Sequence, residues 1–299
     1  MEDFEIGEGE LVDIELSEFG RVMEPVNDKI ALIDADTLAW TSALAAQQEV
    51  SVMPKEFYLD IEWDAIITNP TFDEESMTYK QIDLDIAMSM AEEKLKRIYE
   101  LSGCRKCELH FSAGKKNFRY MIFPEYKANR KAMLIPDGLY DLKVMLCEKY
   151  GGAIHQDWEA DDWVVYAIKN HPEKYVLCAV DKDVLNSVAG RHFNYYESGV
   201  FGKDMHYIET SPETARLWPY LQCITGDSSD GIEGVKGLGP KKAAAFLNEA
   251  WSDEELWEGV LRAYRSKNIS EDIALLNMRL VNMHQIVMGE IRLWSPYEL

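Results

Sequence analysis

The chain has 299 residues, enough for one large domain or two smaller ones, and its 47% hydrophobic and 28% charged residues suit a globular protein with an ample core. The formal charge of −22, from 31 basic against 53 acidic residues, argues as a whole-chain sum against a nucleic-acid partner. No apolar run reaches the roughly 18–20 residues that a membrane span needs, and the acidic N-terminus lacks the order of a secretion signal. The expected compartment is therefore the cytoplasm, with no membrane partner. Five cysteines at 104, 107, 147, 178 and 223 read as reduced thiols. Cys104 and Cys107 have zinc spacing but no matching second pair, so they read as thiols in a loop before a strand.

Residues 1–28 hold ten acids and one base, Arg21, with no apolar period, and read as a mobile acidic tail. From Lys29 onward, strand-like runs at 30–33, 108–112, 175–180 and 192–196 alternate with helical periods. The latter fall near 37–48, 83–101, 137–150 and 160–170. The alternation predicts an α/β fold with a mostly parallel central sheet flanked by helices, over 29–210. Further helical periods near 212–225, 240–249, 253–265 and 270–281 predict a helical C-terminal region, 211–299. Residues 50–80 show no period and read as an inserted loop.

Carboxylates recur at the ends of these elements. Asp34 closes the first strand, Asp181 and Asp183 follow the strand at 175–180, and Glu159, Asp161 and Asp162 open a helix. Asp227 and Asp230 lie three apart in a turn. Ligands of parallel sheets gather at the carboxyl ends of strands, so these groups converge on one edge. A point ringed by so many negative charges requires cations, and all-oxygen donors select Mg²⁺ or Mn²⁺. Two such ions suit phosphodiester cleavage. Helix capping is the plainer explanation for Glu159 to Asp162 taken alone.

Against the overall negative charge, residues 115–131 carry six bases and one acid. The bases are Lys115, Lys116, Arg119, Lys127, Arg130 and Lys131, with Phe118, Tyr120, Phe123 and Tyr126 between them. Bases bind phosphates and aromatic rings stack on unpaired nucleobases; a solvated basic face over core aromatics is the alternative. Residues 231–247 form a glycine-rich turn opening a helix. It is neither a Walker motif nor G-x-G-x-x-G, yet its amides, with Lys236, Lys241 and Lys242, suit a phosphate.

Five segments, in order, resemble the 5′-nuclease superfamily: 33–36 (IDAD), 124–131 (PEYKANRK), 159–162 (EADD), 181–183 (DKD) and 225–232 (TGDSSDGI) running into 234–241 (GVKGLGPK). The likeness covers roughly 29–250 and is strongest to the stand-alone 5′-3′ exonucleases of short-tailed phages. It implies a PIN-like core with a helix–three-turn–helix. The implied activity is a divalent-metal-dependent 5′-3′ exonuclease with flap endonuclease character, acting on duplex DNA with a free 5′ end, nick or flap. Asp34, Glu159, Asp161, Asp162, Asp181, Asp183, Asp227 and Asp230 are then metal ligands or their supports. Tyr126, Lys127 and Arg130 would steer and cleave the 5′ strand. Lys115, Lys116, Arg119, Lys131, Gly234, Lys236, Gly237, Gly239, Lys241 and Lys242 would grip DNA, with a K⁺ ion at the glycine turn. Replication proteins are further partners that the resemblance allows. Two other readings stand beside it: an RNA-primer remover acting on RNA–DNA hybrids, and a non-catalytic DNA-structure-binding protein. The latter is prompted by Ala113, which stands where the family carries an aspartate, with Asp36 or a water as the substitute.

Overall fold

A computed structural model describes residues 27–52, 66, 68–114, 116–132, 134–196, 205–248, 250 and 252–297. The acidic tail expected over 1–28 lies outside these residues apart from Asn27 and Asp28. Asn27 is tied down, its Nδ2 donating to the Ser102 carbonyl at 3.2 Å.

The chain enters through β1 (Ile30–Asp34), turns into α1 (Asp36–Ala45), and makes an antiparallel hairpin of β2 (Gln47–Ser51) and β3 (Thr78–Ile82). The hairpin's strands bracket the stretch 50–80 read as a loop, and β2 takes the last residues of the helix expected over 37–48. The two strands pair across about thirty intervening residues and bury little, so no period marks them. Helix α2 (Leu84–Ser102) starts where the Asp83 carboxylate accepts from Ile86 N at 3.0 Å and ends at Gly103, whose φ of 75° suits a residue without Cβ. Then come β4 (Lys106–Ser112), the short α3 (Phe118–Ile122), α4 (Leu139–Tyr150), β5 (Gly152–His155) and α5 (Ala160–Asn170). They are followed by β6 (Tyr175–Ala179), α6 (Lys182–Asn186), β7 (Gly190–Asn194) and β8 (His206–Thr210).

The main sheet runs β5-β4-β1-β6-β7-β8, parallel throughout except that β8 is antiparallel to β7. The two-residue period of a strand splits β1 between two cores. Ala31 and Ile33 pack beneath α1, α2 and α4 with Leu109, Phe111 and Cys178. Leu32 packs on the other face with Val164 and Val165 of α5 and Leu177 of β6. All five cysteines are buried and unpaired; Cys107 accepts a hydrogen bond from the Tyr99 hydroxyl at 3.0 Å.

Beyond β8 lie α7 (Pro212–Thr225), the two-residue strands β9 (Gly226–Asp227) and β10 (Ile232–Glu233), α8 (Pro240–Leu247), α9 (Asp253–Arg265) and α10 (Glu271–Val281). The region is not wholly helical: β9 pairs with β10, and β11 (Ile286–Val287) with β12 (Glu290–Ile291). These pairs are too short for a period to register. The helices enclose a third core, with Cys223, Leu256, Val260 and Met278 fully buried. Tyr126, from the basic stretch, is anchored in that core. Among the described residues no helix is long and apolar enough to cross a membrane.

Candidate active site

The carboxyl ends of β1 and β6 carry the first carboxylates. Asp34 is the last residue of β1 and only 4% exposed, and one of its oxygens has no hydrogen-bond donor. Burial, followed by the charges of Asp36 and Asp181, pushes its carboxyl up to about 7. Asp161, in the first turn of α5, is raised too, by burial and then by Asp34, Glu159 and Asp181. After β6, Asp181 caps α6 by accepting from Asp183 N at 2.8 Å. Asp183 is buried with an unpartnered oxygen, and burial and Asp181 push it up to about 7, with Asp227 and Asp230 contributing.

Asp34, Asp161 and Asp181 thus feel one another's charge, and Asp183 feels that of Asp181, Asp227 and Asp230. Among the described residues no three His, Cys, Asp or Glu side chains already converge with the geometry of metal ligands. What fits a cation is the chemistry of the donors: oxygens only, crowded enough to raise one another's proton affinity, two of them buried without a donor.

The basic stretch is laced onto this zone. Lys127, at a positive φ of 55°, donates from Nζ to Glu159 Oε1 at 2.6 Å and lies 3.6 Å from Asp230. Burial alone would lower its ammonium, but Glu159, Asp230 and Asp161 hold it above its ordinary value. In return, although burial would raise Glu159, Lys127 and Arg119 pull it down to about 2. Arg130, exposed, reaches Asp230 at 2.5 Å and the Ser229 carbonyl at 3.0 Å; Asn129 holds the Ser228 carbonyl at 2.7 Å. Asp227 fixes the same turn, accepting from Ser229 N at 2.8 Å.

Several sequence expectations are corrected here. Asp162 is not an open carboxylate. It is fully buried, gripped by both terminal nitrogens of Arg119 at 2.5 and 2.7 Å, and it accepts from Glu159 N at 3.0 Å, closing the cap of α5. Capping therefore accounts for this member of the 159–162 cluster. Arg119, expected on DNA, is 2% exposed, and its Nε donates to the Leu280 carbonyl at 2.8 Å. Tyr126 has no surface to offer a strand: it is buried, with its hydroxyl between Glu159 and Asp230. Gly234 is a packing residue, since a Cβ there would lie 2.2 Å from the Thr225 carbonyl carbon.

Lys116 is exposed, while Lys115 and the side chain of Lys131 lie outside the described residues. Lys236, Gly237, Gly239, Lys241 and Lys242 share one exposed turn, where Gly237 has a φ of 83° and a Cβ on Gly237 or Gly239 would meet nothing within 4 Å. Sequence reasoning missed Lys143. It reaches from α4 to Asp36 at 2.6 Å and to the Ser112 carbonyl at 2.9 Å. The available signal was a lysine on the apolar stripe of Leu139, Leu142, Leu146 and Tyr150.

No protein-family model matches the chain. Among curated proteins, DNA polymerase I of Caldicellulosiruptor bescii is 31% identical over 180 residues, 54% of this chain, which spans only 21% of the polymerase. The exodeoxyribonuclease of Enterobacteria phage T3 is 26% identical over 268 residues, 85% of this chain and 78% of that protein. In fold, the chain is similar to a bacteriophage T5 flap endonuclease solved as a pseudo-enzyme–product complex with DNA and metal ions. That likeness has a TM-score of 0.52 at 19% identity, over 66% of this chain and 81% of the other. In sequence the chain is similar to 5′-nucleases, and in fold it is similar to a solved flap endonuclease.

Proposed function

We propose that this chain is a divalent-metal-dependent phosphodiester hydrolase that degrades DNA from 5′ ends and cuts at flaps. The observation that carries this reading is the seating of Lys127 and Arg130 on the rim of the carboxylate zone, paired with Glu159 and Asp230. A cation-seeking acidic floor beneath two mobile-headed bases is an arrangement for holding a phosphate between metal and protein charge.

Asp34, Asp161, Asp181, Asp183, Asp227 and Asp230 would hold the metal. Mg²⁺ is the proposed metal and two ions the proposed number. A bound divalent ion supplies an activated water and a Lewis acid for the phosphodiester. The protein supplies the rest. Lys127 exchanges Glu159 for the phosphate and meets the negative charge that develops there, and Arg130 does the same from Asp230. Until then Glu159 holds Lys127 in place over the Tyr126 ring. The exposed turn with Lys236, Lys241 and Lys242 grips the duplex backbone, with K⁺ as a further proposed ligand of its carbonyls, and sets the distance to the 5′ end. The test is cleavage of 5′-labelled blunt, nicked and flapped duplexes with Mg²⁺, with Mn²⁺ and in excess EDTA. Metal-dependent release from the 5′ side supports the reading; undiminished cleavage in EDTA overturns it.

A further inference from the structure

Lys143 has no place in the mechanism above, yet it is built into the same edge of the sheet. Its side chain is 11% exposed, on the face of α4 that covers the sheet. It donates to Asp36 Oδ1 at 2.6 Å and to the Ser112 carbonyl at 2.9 Å, while the Asp36 carboxylate accepts from Ser112 N at 3.1 Å. One ammonium therefore joins α4, the end of β4 and the start of α1. An ion pair between a nearly buried ammonium and a partly exposed carboxylate adds little stability, so the pair calls for another reason.

Asp36 supplies that reason. It lies two residues beyond Asp34, and like charges so placed would drive Asp36 outward into water. Lys143 and Ser112 hold it instead at the end of β4, where its charge bears on the buried Asp34. Among the described residues two donors reach the Asp36 carboxylate, which has about four lone-pair sites, and its side chain is 35% exposed. The following residue on β4's side, Ala113, offers no carboxylate of its own.

We propose that Lys143 is a positioning residue: it fixes Asp36 so that its carboxylate serves the divalent cation alongside Asp34. This rests on the metal-dependent reading of the site and predicts an effect opposite to simple electrostatics. A cation near a metal site repels the metal, so removing it should tighten binding; removing a positioning residue should loosen it.

The experiment is Mn²⁺ titration of the full chain without DNA, followed by calorimetry, for the wild type, Lys143→Met, Asp36→Asn and the double variant. Thermal unfolding in EDTA confirms that each is folded. Lys143→Met should weaken Mn²⁺ binding at least about ten-fold, as loss of outer supports of metal ligands does. Asp36→Asn should weaken it as much or more, and the double variant no further than Asp36→Asn, because both act through one carboxylate. Equal or tighter Mn²⁺ binding by Lys143→Met overturns the proposal. Should that variant not fold, unchanged binding by Asp36→Asn overturns it as well. If the wild type cleaves flapped DNA with Mg²⁺ while both variants bind Mn²⁺ normally, this inference fails and the nuclease reading stands. A wild type that binds no Mn²⁺ sinks both.

Discussion

Tyr126 joins Glu159 to Asp230: its hydroxyl oxygen lies 2.8 Å from Glu159 Oε2 and 2.7 Å from Asp230 Oδ2. One phenol carries one proton, so it cannot donate to both carboxylates. Glu159 is held down to about 2, and Asp230 is raised, by burial first and with Glu159 contributing. Tyr126→Phe removes this link inside a packed core. It should cost about 1–3 kcal/mol, the usual cost of leaving buried polar groups unpaired, measured by urea unfolding. A variant as stable as wild type would show that the link bears no strain.

Lys127→Ala should leave the protein folded and lower kcat on a flapped duplex by about 10²–10³, the usual cost of losing one donor to a developing oxyanion. KM should change much less, because the proposed duplex grip lies with Lys236, Lys241 and Lys242. A fall confined to KM would make Lys127 a binding residue only.

The Arg119–Asp162 pair predicts a separation of stability from metal affinity. Asp162→Ala leaves a buried guanidinium without its counter-charge and should destabilise by about 3–5 kcal/mol. Where the variant is folded, its Mn²⁺ affinity should match wild type. A tenfold weaker affinity would return Asp162 to the ligand set.

Below about pH 6.5 two buried histidines should work against stability, opposed by Asp34 and Asp183, which are raised to about 7 and take up protons in the folded state. Burial lowers His284 to about 4, and burial followed by its neighbour His110 lowers His155 to about 3. Unfolded imidazoles take up protons below about 6.5 while these remain neutral. At these two groups the unfolded state binds more protons over that window, so their contribution to stability falls as pH falls. The slope is about 1.4 kcal/mol per pH unit for each histidine at full effect. His284→Gln can keep the hydrogen bond to the Ser187 carbonyl, which His284 Nε2 makes at 2.8 Å, and should flatten urea midpoints between pH 4 and 6.5. An unchanged slope would remove His284 from this account.

The long periodic elements were legible in the sequence. The helices at 160–170, 212–225 and 253–265 stand where their apolar stripes put them, because each buries one face. β5 and β8 were not legible: Gly152–His155 is a four-residue edge strand without an apolar run, and β8 is half polar. At the site, charge at element ends pointed to the carboxylate zone. Partner choice was invisible, because what separates Arg119 from Lys127 is burial. Both lie in one basic run, yet Arg119 turns inward to Asp162 and Lys127 to the open rim. Lys143 was hidden for the same reason: its partners come from residues 36 and 112, distant in sequence.

The most direct test of the account is release of label from a 5′-flapped duplex by wild type and Asp181→Ala as Mg²⁺ is titrated. The account predicts cleavage that rises from nothing with Mg²⁺ in the wild type and is nearly abolished in Asp181→Ala at every concentration. Cleavage by Asp181→Ala at the wild-type rate, or by wild type in excess EDTA, would contradict it.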